Sequence, residues 1–205
     1  MYYPVAMPKW VQKLFPGFLY RIEDDQEKVL YLTFDDGPIP IITPWVLEQL
    51  EAYNAQATFF CVGANIEKNP TVYQVVLDAG HRVGNHTFNH LNGWKTAQTT
   101  YLENVETCQQ WMETDLFRPP YGKLRLGQAR KLKQAYKVVM WDVIAGDFDP
   151  SISGEECWQN IVKNTTKGSI VVLHDSKKSW ERLEYVLPKL LAHYSKLGFQ
   201  FKAIP

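Results

Sequence analysis

The chain has 205 residues, 45% of them hydrophobic, and its 22 Lys and Arg residues balance its 22 Asp and Glu residues. This length suits one domain with a substantial core, and the zero net charge gives no overall field that would attract nucleic acid or an anionic membrane. A neutral partner such as a sugar fits better. Cys61, Cys108 and Cys157 are widely spaced without a CxxC pair, so we expect small core residues rather than a disulfide framework or a thiolate zinc site.

Residues 1–28 are predicted to form an N-terminal arm that packs on a catalytic domain of residues 29–205. The segment from Met1 to Arg21 lacks the basic, apolar and small-residue regions of a signal peptide, and no run is long enough to cross a membrane. We therefore expect a cytoplasmic protein, although a chain trimmed of its leader would look the same. The aromatic residues of the arm could face lipid or glycan, but packing against the core is the favoured interpretation. They are Tyr2, Tyr3, Trp10, Phe15, Phe18 and Tyr20.

Strands and helices alternate through the rest of the chain. The predicted strands are Val29 to Phe34, Ala57 to Val62, His81 to Gly84, Leu116 to Phe117, Lys137 to Trp141, Ser169 to Leu173 and Phe199 to Ala203. The predicted helices are Thr43 to Ala52, with Thr43 as N-cap, Pro70 to Ala79, Thr99 to Thr114, Leu126 to Ala135, a helix ending at Val162 after a capping box at Ser153, and Trp180 to Leu197. This alternation predicts parallel strands joined by crossover helices, hence a doubly wound sheet or a (β/α) barrel.

The first strand ends in two adjacent carboxylates, Asp35 and Asp36, followed by Gly37 and Pro38. Two neighbouring carboxylates repel each other, so the pair requires a cation on one of them or a proton on one of them. Taken alone, the stretch is more typical of a surface turn, because Asp-Gly is a common turn dipeptide.

Most of the potential acids, bases and ligands follow a predicted strand. In a barrel, residues at the carboxyl ends of the strands converge on one face. His86 and His90 follow the third strand at a spacing of four residues, which can bring two imidazoles to one metal ion. A histidine pair alone is more often solvated or hydrogen-bonded, but a carboxylate from a neighbouring strand end would complete a two-His-one-Asp metal site.

Four ordered motifs resemble those of the polysaccharide deacetylases, the NodB-homology domain of carbohydrate esterase family four, which includes chitin and peptidoglycan N-deacetylases. They are Thr33 to Pro38 (TFDDGP), His86 to His90 (HTFNH), Arg118 to Gly122 (RPPYG) and Leu173 to Asp175 (LHD). The resemblance covers roughly Val29 to Ala203. It implies a distorted, TIM-like (β/α) barrel of about seven parallel strands, and a metal-dependent amidohydrolase that acts on N-acetylated sugars.

Carried over residue by residue, the resemblance implies that Asp36, His86 and His90 bind the metal. It implies that Asp35 is the general base and His174 the general acid. An acetamide carbonyl is a poor electrophile, so a divalent metal is needed to polarise it and to activate water. Zinc is the default for imidazole and carboxylate ligands, and cobalt or nickel would fit the same set.

The same carry-over gives four supporting roles. Arg118 would hold the base, and the backbone N–H of Tyr121 would contribute to the oxyanion hole. Trp141 and Leu173 would line a pocket for the acetyl methyl group.

One motif departs from the family pattern. The family usually has Asp-Trp before the sixth strand, whereas this chain has Asp147 followed by Phe148. We align Asp147 with the acid that orients His174 and keep Asp142 as the alternative. The missing tryptophan could narrow or flatten the sugar subsite. Two further acids are interpreted as capping or solvated residues: Asp149 and Asp175.

The leading hypothesis is a hydrolase that removes acetyl groups from N-acetylglucosamine-containing poly- or oligosaccharides. One alternative is a catalytically silent glycan-binding domain on the same fold. Others are a metal-dependent hydrolase of a different amide and an oxidative enzyme with an iron centre, for which a paired base such as Asp35 has no use. The sequence does not determine the oligomeric state.

Overall fold

The structure is a computed structural model that describes residues 3–23 and 27–205. In these residues, one sheet of eight parallel strands curls into the predicted distorted (β/α) barrel, with strand order β5-β4-β3-β2-β1-β7-β6 and β8 beside β1. The strands are β1 (Val29–Asp35), β2 (Thr58–Cys61), β3 (Arg82–Asn85), β4 (Leu116–Phe117), β5 (Lys137–Val138), β6 (Val143–Ile144), β7 (Ile170–His174) and β8 (Gln200–Phe201). The helices are α1 (Lys9–Leu14), α2 (Ile42–Glu51), α3 (Gly63–Lys68), α4 (Pro70–Asp78), α5 (Gln98–Gln109), α6 (Leu126–Leu132), α7 (Gly154–Asn164) and α8 (Trp180–Lys196).

Among the described residues, strand β1 is the one that pairs with three other strands, β2, β7 and β8. All of its residues are buried, and it pairs with β2 on one side and β7 on the other. Its side chains alternate between two faces. Leu30, Leu32 and Phe34 belong to the core cluster that includes the helices, whereas Val29 and Tyr31 belong to a second cluster on the opposite, inner face. This alternation also decides which residues of β1 and β7 can face the interior of the barrel.

The N-terminal arm joins the two ends of the sheet. Leu19 bridges to Val139 just after β5, and Ala6 bridges to Val143 in β6. Tyr20 is buried, as predicted for an arm packed on the core, but Trp10 is 66% exposed. Tyr2 lies outside the described residues, and the division into residues 1–28 and 29–205 stays a prediction.

Three of these elements were not predicted from the sequence: α1 in the N-terminal arm, α3 and β6. Helix α3 begins at Gly63, immediately after β2, and glycine is a poor helix former that gives no signal for a helix start. Strand β6 has only two residues, and the predicted fifth strand, Lys137 to Trp141, was drawn too long because β5 ends at Val138. Asp147 therefore follows β6 rather than β5.

Other predictions differ in detail. Thr43 is not the N-cap of α2 but lies within its first turn, because the helix begins at Ile42. Helix α5 ends at Gln109 rather than at Thr114. The capping box is confirmed: the Ser153 hydroxyl accepts from the Glu156 N–H, and the Glu156 carboxylate accepts from the Ser153 N–H.

The cysteines are buried and free, as expected. None of the helices in residues 3–23 and 27–205 has the length and hydrophobicity of a membrane-spanning segment.

The parallel direction of the strands brings their carboxyl ends to one edge of the barrel. Asp35 in β1 is in register with His174 in β7. Asn85, the last residue of β3, pairs with Phe117 at the end of β4. The side chains that follow these strands therefore meet above the same edge.

Candidate active site

Asp36, His86 and His90 form a cluster that could hold one metal ion. Asp36 follows β1, and the two histidines follow β3. Oδ1 of Asp36 lies 3.1 Å from Nε2 of His90 and 3.7 Å from Nε2 of His86. One potential ligand atom from each residue lies within 4.8 Å of the other two. The predicted ligands are therefore brought together.

The protonation states and orientations of this cluster suit a metal ion. Nδ1 of His86 lies 2.7 Å from the carbonyl oxygen of Arg118, which leaves Nε2 to face Asp36. Burial lowers the pKa of His86 to about 4, so its imidazole is neutral at neutral pH. Burial opposes the charge of Asp36, but the surrounding histidine rings outweigh it and hold the pKa of the carboxyl below its usual range. Neutral imidazole and ionised carboxylate are the forms that bind metal.

One buried atom supports the same conclusion. Oδ1 of Asp36 is buried and has no partner with hydrogen-bond geometry, although two imidazole nitrogens lie close to it. A buried carboxylate oxygen without a hydrogen bond is costly unless a cation satisfies it. The cluster therefore fits a divalent metal ion.

Asp35 is held by a buried arginine. Nη1 of Arg118 donates to Oδ1 of Asp35 over 2.6 Å and to the hydroxyl of Thr33 over 2.8 Å. The other guanidinium nitrogens donate to the carbonyl oxygens of Val139 and Met140. Both members of the ion pair are buried, with Arg118 fully so. The carboxylate of Asp35 is thus fixed in one orientation beside the metal cluster.

His174 is paired with Asp147 on the other side of the site. Oδ1 of Asp147 lies 2.9 Å from Nδ1 of His174, and Oδ2 accepts from the His174 backbone N–H over 2.7 Å. Burial lowers the pKa of His174, but the Asp147 carboxylate, together with smaller effects of Asp36 and Asp35, outweighs that effect and raises the pKa to about 9. His174 is therefore an imidazolium at neutral pH.

The alternative acid, Asp142, lies elsewhere. Its carboxylate accepts from the hydroxyl of Ser169 over 2.6 Å and lies 3.6 Å from Arg21. The choice of Asp147 as the partner of His174 agrees with the structure. Phe148, which replaces the tryptophan of the family pattern, packs edge-on against the His174 ring with centroids 5.2 Å apart.

The prediction that Leu173 lines the acetyl pocket is wrong. Leu173 is in register with Phe34, and both belong to the helix-facing core, whereas the neighbouring His174 is in register with Asp35. Because strand side chains alternate, Val172 rather than Leu173 shares the inner face with His174. The sequence contained this signal, since Val172 lies two residues before His174.

Tyr121 and Trp141 lie at the rim. Tyr121 has a backbone φ of 61°, its side chain is 59% exposed, and its ring packs against that of His90 with centroids 4.7 Å apart. A Cβ on Gly122 would lie 2.6 Å from the Trp141 indole, so the indole packs closely over this turn. The oxyanion role of Tyr121 and the pocket role of Trp141 stay predictions.

The two acids interpreted as capping or solvated residues differ in their surroundings. Asp149 stabilises a local turn, because its carboxylate accepts from both the N–H and the hydroxyl of Ser151, but it does not cap a helix, since the N-cap of α7 is Ser153. Asp175 is neither solvated nor at a helix end: it is fully buried, and its carboxylate accepts from Thr43 and from the Gly37 N–H. The sequence analysis missed this contact between segments far apart in the chain.

Comparisons with known proteins agree with this geometry. The family profile described as Polysaccharide deacetylase matches residues 22–140. A peptidoglycan-N-acetylglucosamine deacetylase of Bacillus cereus is 36% identical over 195 residues, which is 92% of each chain. A chitooligosaccharide deacetylase of Azorhizobium caulinodans is 32% identical over 92% of this chain and 98% of its own. The solved structure of a peptidoglycan N-acetylglucosamine deacetylase superimposes with a TM-score of 0.86 at 27% identity, covering 96% of this chain and 94% of the other.

Replacement of His86 tests the metal cluster. We expect His86→Ala to weaken divalent metal binding at least about tenfold, the lower end of the effect seen for residues that merely support ligands. Metal content after dialysis against zinc, cobalt or nickel, measured by elemental analysis, gives the result. His193→Ala, in α8 and outside the cluster, is the control and should keep its metal. Full metal loading of His86→Ala with unchanged affinity would remove His86 from the ligand set.

Proposed function

The chain belongs to the polysaccharide deacetylase family, and on that premise we propose that it is a metal-dependent N-deacetylase of N-acetylglucosamine-containing poly- or oligosaccharides that releases acetate. Relatives that match this chain over nearly its whole length are named as deacetylases of peptidoglycan and of chitooligosaccharides. The observation that carries the proposal is the meeting of a metal cluster, a buried carboxylate–arginine pair and a histidine–carboxylate pair at one edge of the barrel.

Asp36, His86 and His90 would hold the cation. When bound, a divalent metal ion polarises the acetamide carbonyl and lowers the pKa of the attacking water. We propose zinc, because two imidazoles and one carboxylate with open positions are typical of a catalytic zinc site. Cobalt and nickel suit the same ligands.

Asp35 would act as the general base. Asp35 directly precedes the metal ligand Asp36 in the chain. Its carboxylate is buried, and the hydrogen bond from Arg118 fixes its orientation. A carboxylate held beside the metal ligands can take a proton from water. The backbone N–H of Tyr121 would donate to the developing oxyanion, and Trp141 would bound the space for the acetyl methyl group.

His174 would act as the general acid. An amine leaves only when its nitrogen is protonated, so the reaction needs a proton donor on the side opposite the base. Asp147 holds Nδ1 of His174, which leaves Nε2 to deliver a proton to the leaving nitrogen. The pKa of about 9 keeps the imidazolium populated at neutral pH. A glycan-binding domain without catalysis has no need for this arrangement. The cytoplasmic location stays a prediction.

Replacement of Asp35 tests the base. Asp35→Asn keeps the shape of the side chain but cannot accept the proton, so we expect kcat to fall by about 10²–10⁴-fold while metal content is retained. Acetate release from an N-acetylated chitooligosaccharide and elemental analysis measure the two quantities. Asp78→Asn, on the surface helix α4, should behave as the unaltered protein. Turnover close to normal in Asp35→Asn would reject the assignment.

The pH dependence tests the acid. The pKa of His174 is raised above its ordinary 6.5 to about 9, so the imidazolium, and with it kcat, should decline as the pH rises through about 9. Asp147→Asn removes the carboxylate that raises this pKa, and the alkaline limb of kcat should move toward lower pH. Circular dichroism checks that the variant is folded. An alkaline limb at the same pH in a folded Asp147→Asn protein would argue against His174 as the acid.

A further inference from the structure

Asp36 has an unusual backbone conformation for a side chain that is to bind a metal. Its φ is 82°, in the left-handed region that residues other than glycine rarely adopt. Such a conformation persists only where the surrounding structure fixes it. The direction of the Asp36 carboxylate therefore depends on whatever holds this turn.

The turn is held by three hydrogen bonds to the carbonyl group of Asp36 and to the backbone of Gly37. Nδ2 of Asn65 donates to the carbonyl oxygen of Asp36 over 2.7 Å, and the N–H of Val62 donates to the carbonyl oxygen of Gly37 over 2.9 Å. The N–H of Gly37 donates to Oδ1 of Asp175 over 3.1 Å. The peptide group between Asp36 and Gly37 is thus hydrogen-bonded to the side chain of Asp175, which directly follows β7.

Asp175 itself is fully buried and tightly fixed. The hydroxyl of Thr43, in the first turn of α2, donates to Oδ2 of Asp175 over 2.5 Å, and the same hydroxyl accepts from the Ile39 N–H over 2.8 Å. The Asp175 backbone N–H donates to the carbonyl oxygen of Asp35 over 3.2 Å. One residue therefore contacts the turn at both ends of the Asp35–Asp36 pair.

The packing around Gly37 leaves no room for a side chain at that position. A Cβ on Gly37 would lie 2.1 Å from Oδ2 of Asp175, so the carboxylate occupies the space that any side chain at position 37 would need. None of the proposed catalytic steps uses Asp175. Burying an acidic side chain costs free energy of folding, so its contacts with the turn need another explanation.

We propose that Asp175 and Thr43 form a clamp that positions the Asp36 carboxylate for metal binding. Both are positioning residues: they act through the Gly37 peptide and do not touch substrate. The inference rests on the proposed role of Asp36 as a metal ligand. It adds two positioning residues to which the resemblance described above gives no role in the site. Loss of a hydrogen bond that orients a ligand typically weakens metal binding 10–100-fold.

The test compares three threonine variants of the full chain. Thr43→Val removes the hydroxyl at nearly constant volume, and zinc affinity, measured by competition with a chelator of known affinity, should fall at least about tenfold. Thr43→Ser restores the hydroxyl and should restore the affinity. Thr58→Val is the matched control, because Thr58 is equally buried and its hydroxyl accepts from the Ile204 N–H far from the turn. It should lower the melting temperature without changing zinc affinity.

The outcomes separate the clamp from the proposed function. If Thr43→Val loses thermal stability but binds zinc as tightly as the unaltered protein, the clamp is only structural and the proposal is overturned. If Thr43→Val does not fold, Thr43→Ala takes its place, because it also lacks the hydroxyl that contacts Asp175, with the same expected loss and the same contradicting result. If the unaltered protein binds no divalent metal, the proposed function fails before the clamp is in question.

Discussion

A buried arginine is the constraint on which the rest of the site depends. Arg118 is fully buried, and a guanidinium removed from water must have its charge and its donors satisfied. It pairs with Asp35, lies over the ring of Phe60 at 4.1 Å, and uses its carbonyl oxygen to orient His86. The proposed base and one proposed metal ligand are therefore fixed by the same residue, and any shift of β4 against β1 would disturb both.

The site separates its acidic groups by giving each one a different partner. Asp35 faces Arg118, Asp147 faces His174, and Asp36 faces the two histidines of the metal cluster. Neighbouring carboxylates without such partners repel one another. Because each partner is different, one acid can remain a base, one can sustain an imidazolium, and one can bind a cation. Amide hydrolysis of this kind requires these three functions, a general base, a general acid and a bound metal ion.

The sequence predicted the parts of the site that depend on short motifs and strand ends. Asp35, Asp36, His86, His90 and His174 stood out as candidates because each lies at or just after the end of a predicted strand, and the resemblance to the deacetylase motifs supplied their roles. The sequence analysis was less successful in assigning side chains to the two faces of a strand. Alternation along β7 puts Val172, and not Leu173, on the same face as His174. Strand β6 was not predicted because two residues are too few to show an alternating pattern. Helix α3 was not predicted because it begins with glycine, which is a poor helix former. The contact of Asp175 with Thr43 joins residues 132 positions apart, and no local pattern encodes it.

The most direct measurement is acetate release from chitopentaose carrying five N-acetyl groups, by the unaltered protein, after removal of metal with a chelator and again after addition of zinc. The account predicts acetate release that is lost with the metal and restored by a divalent ion. Acetate release that is unaffected by complete removal of metal would contradict it, and so would a protein that holds its metal and releases no acetate from any N-acetylated glucosamine oligomer.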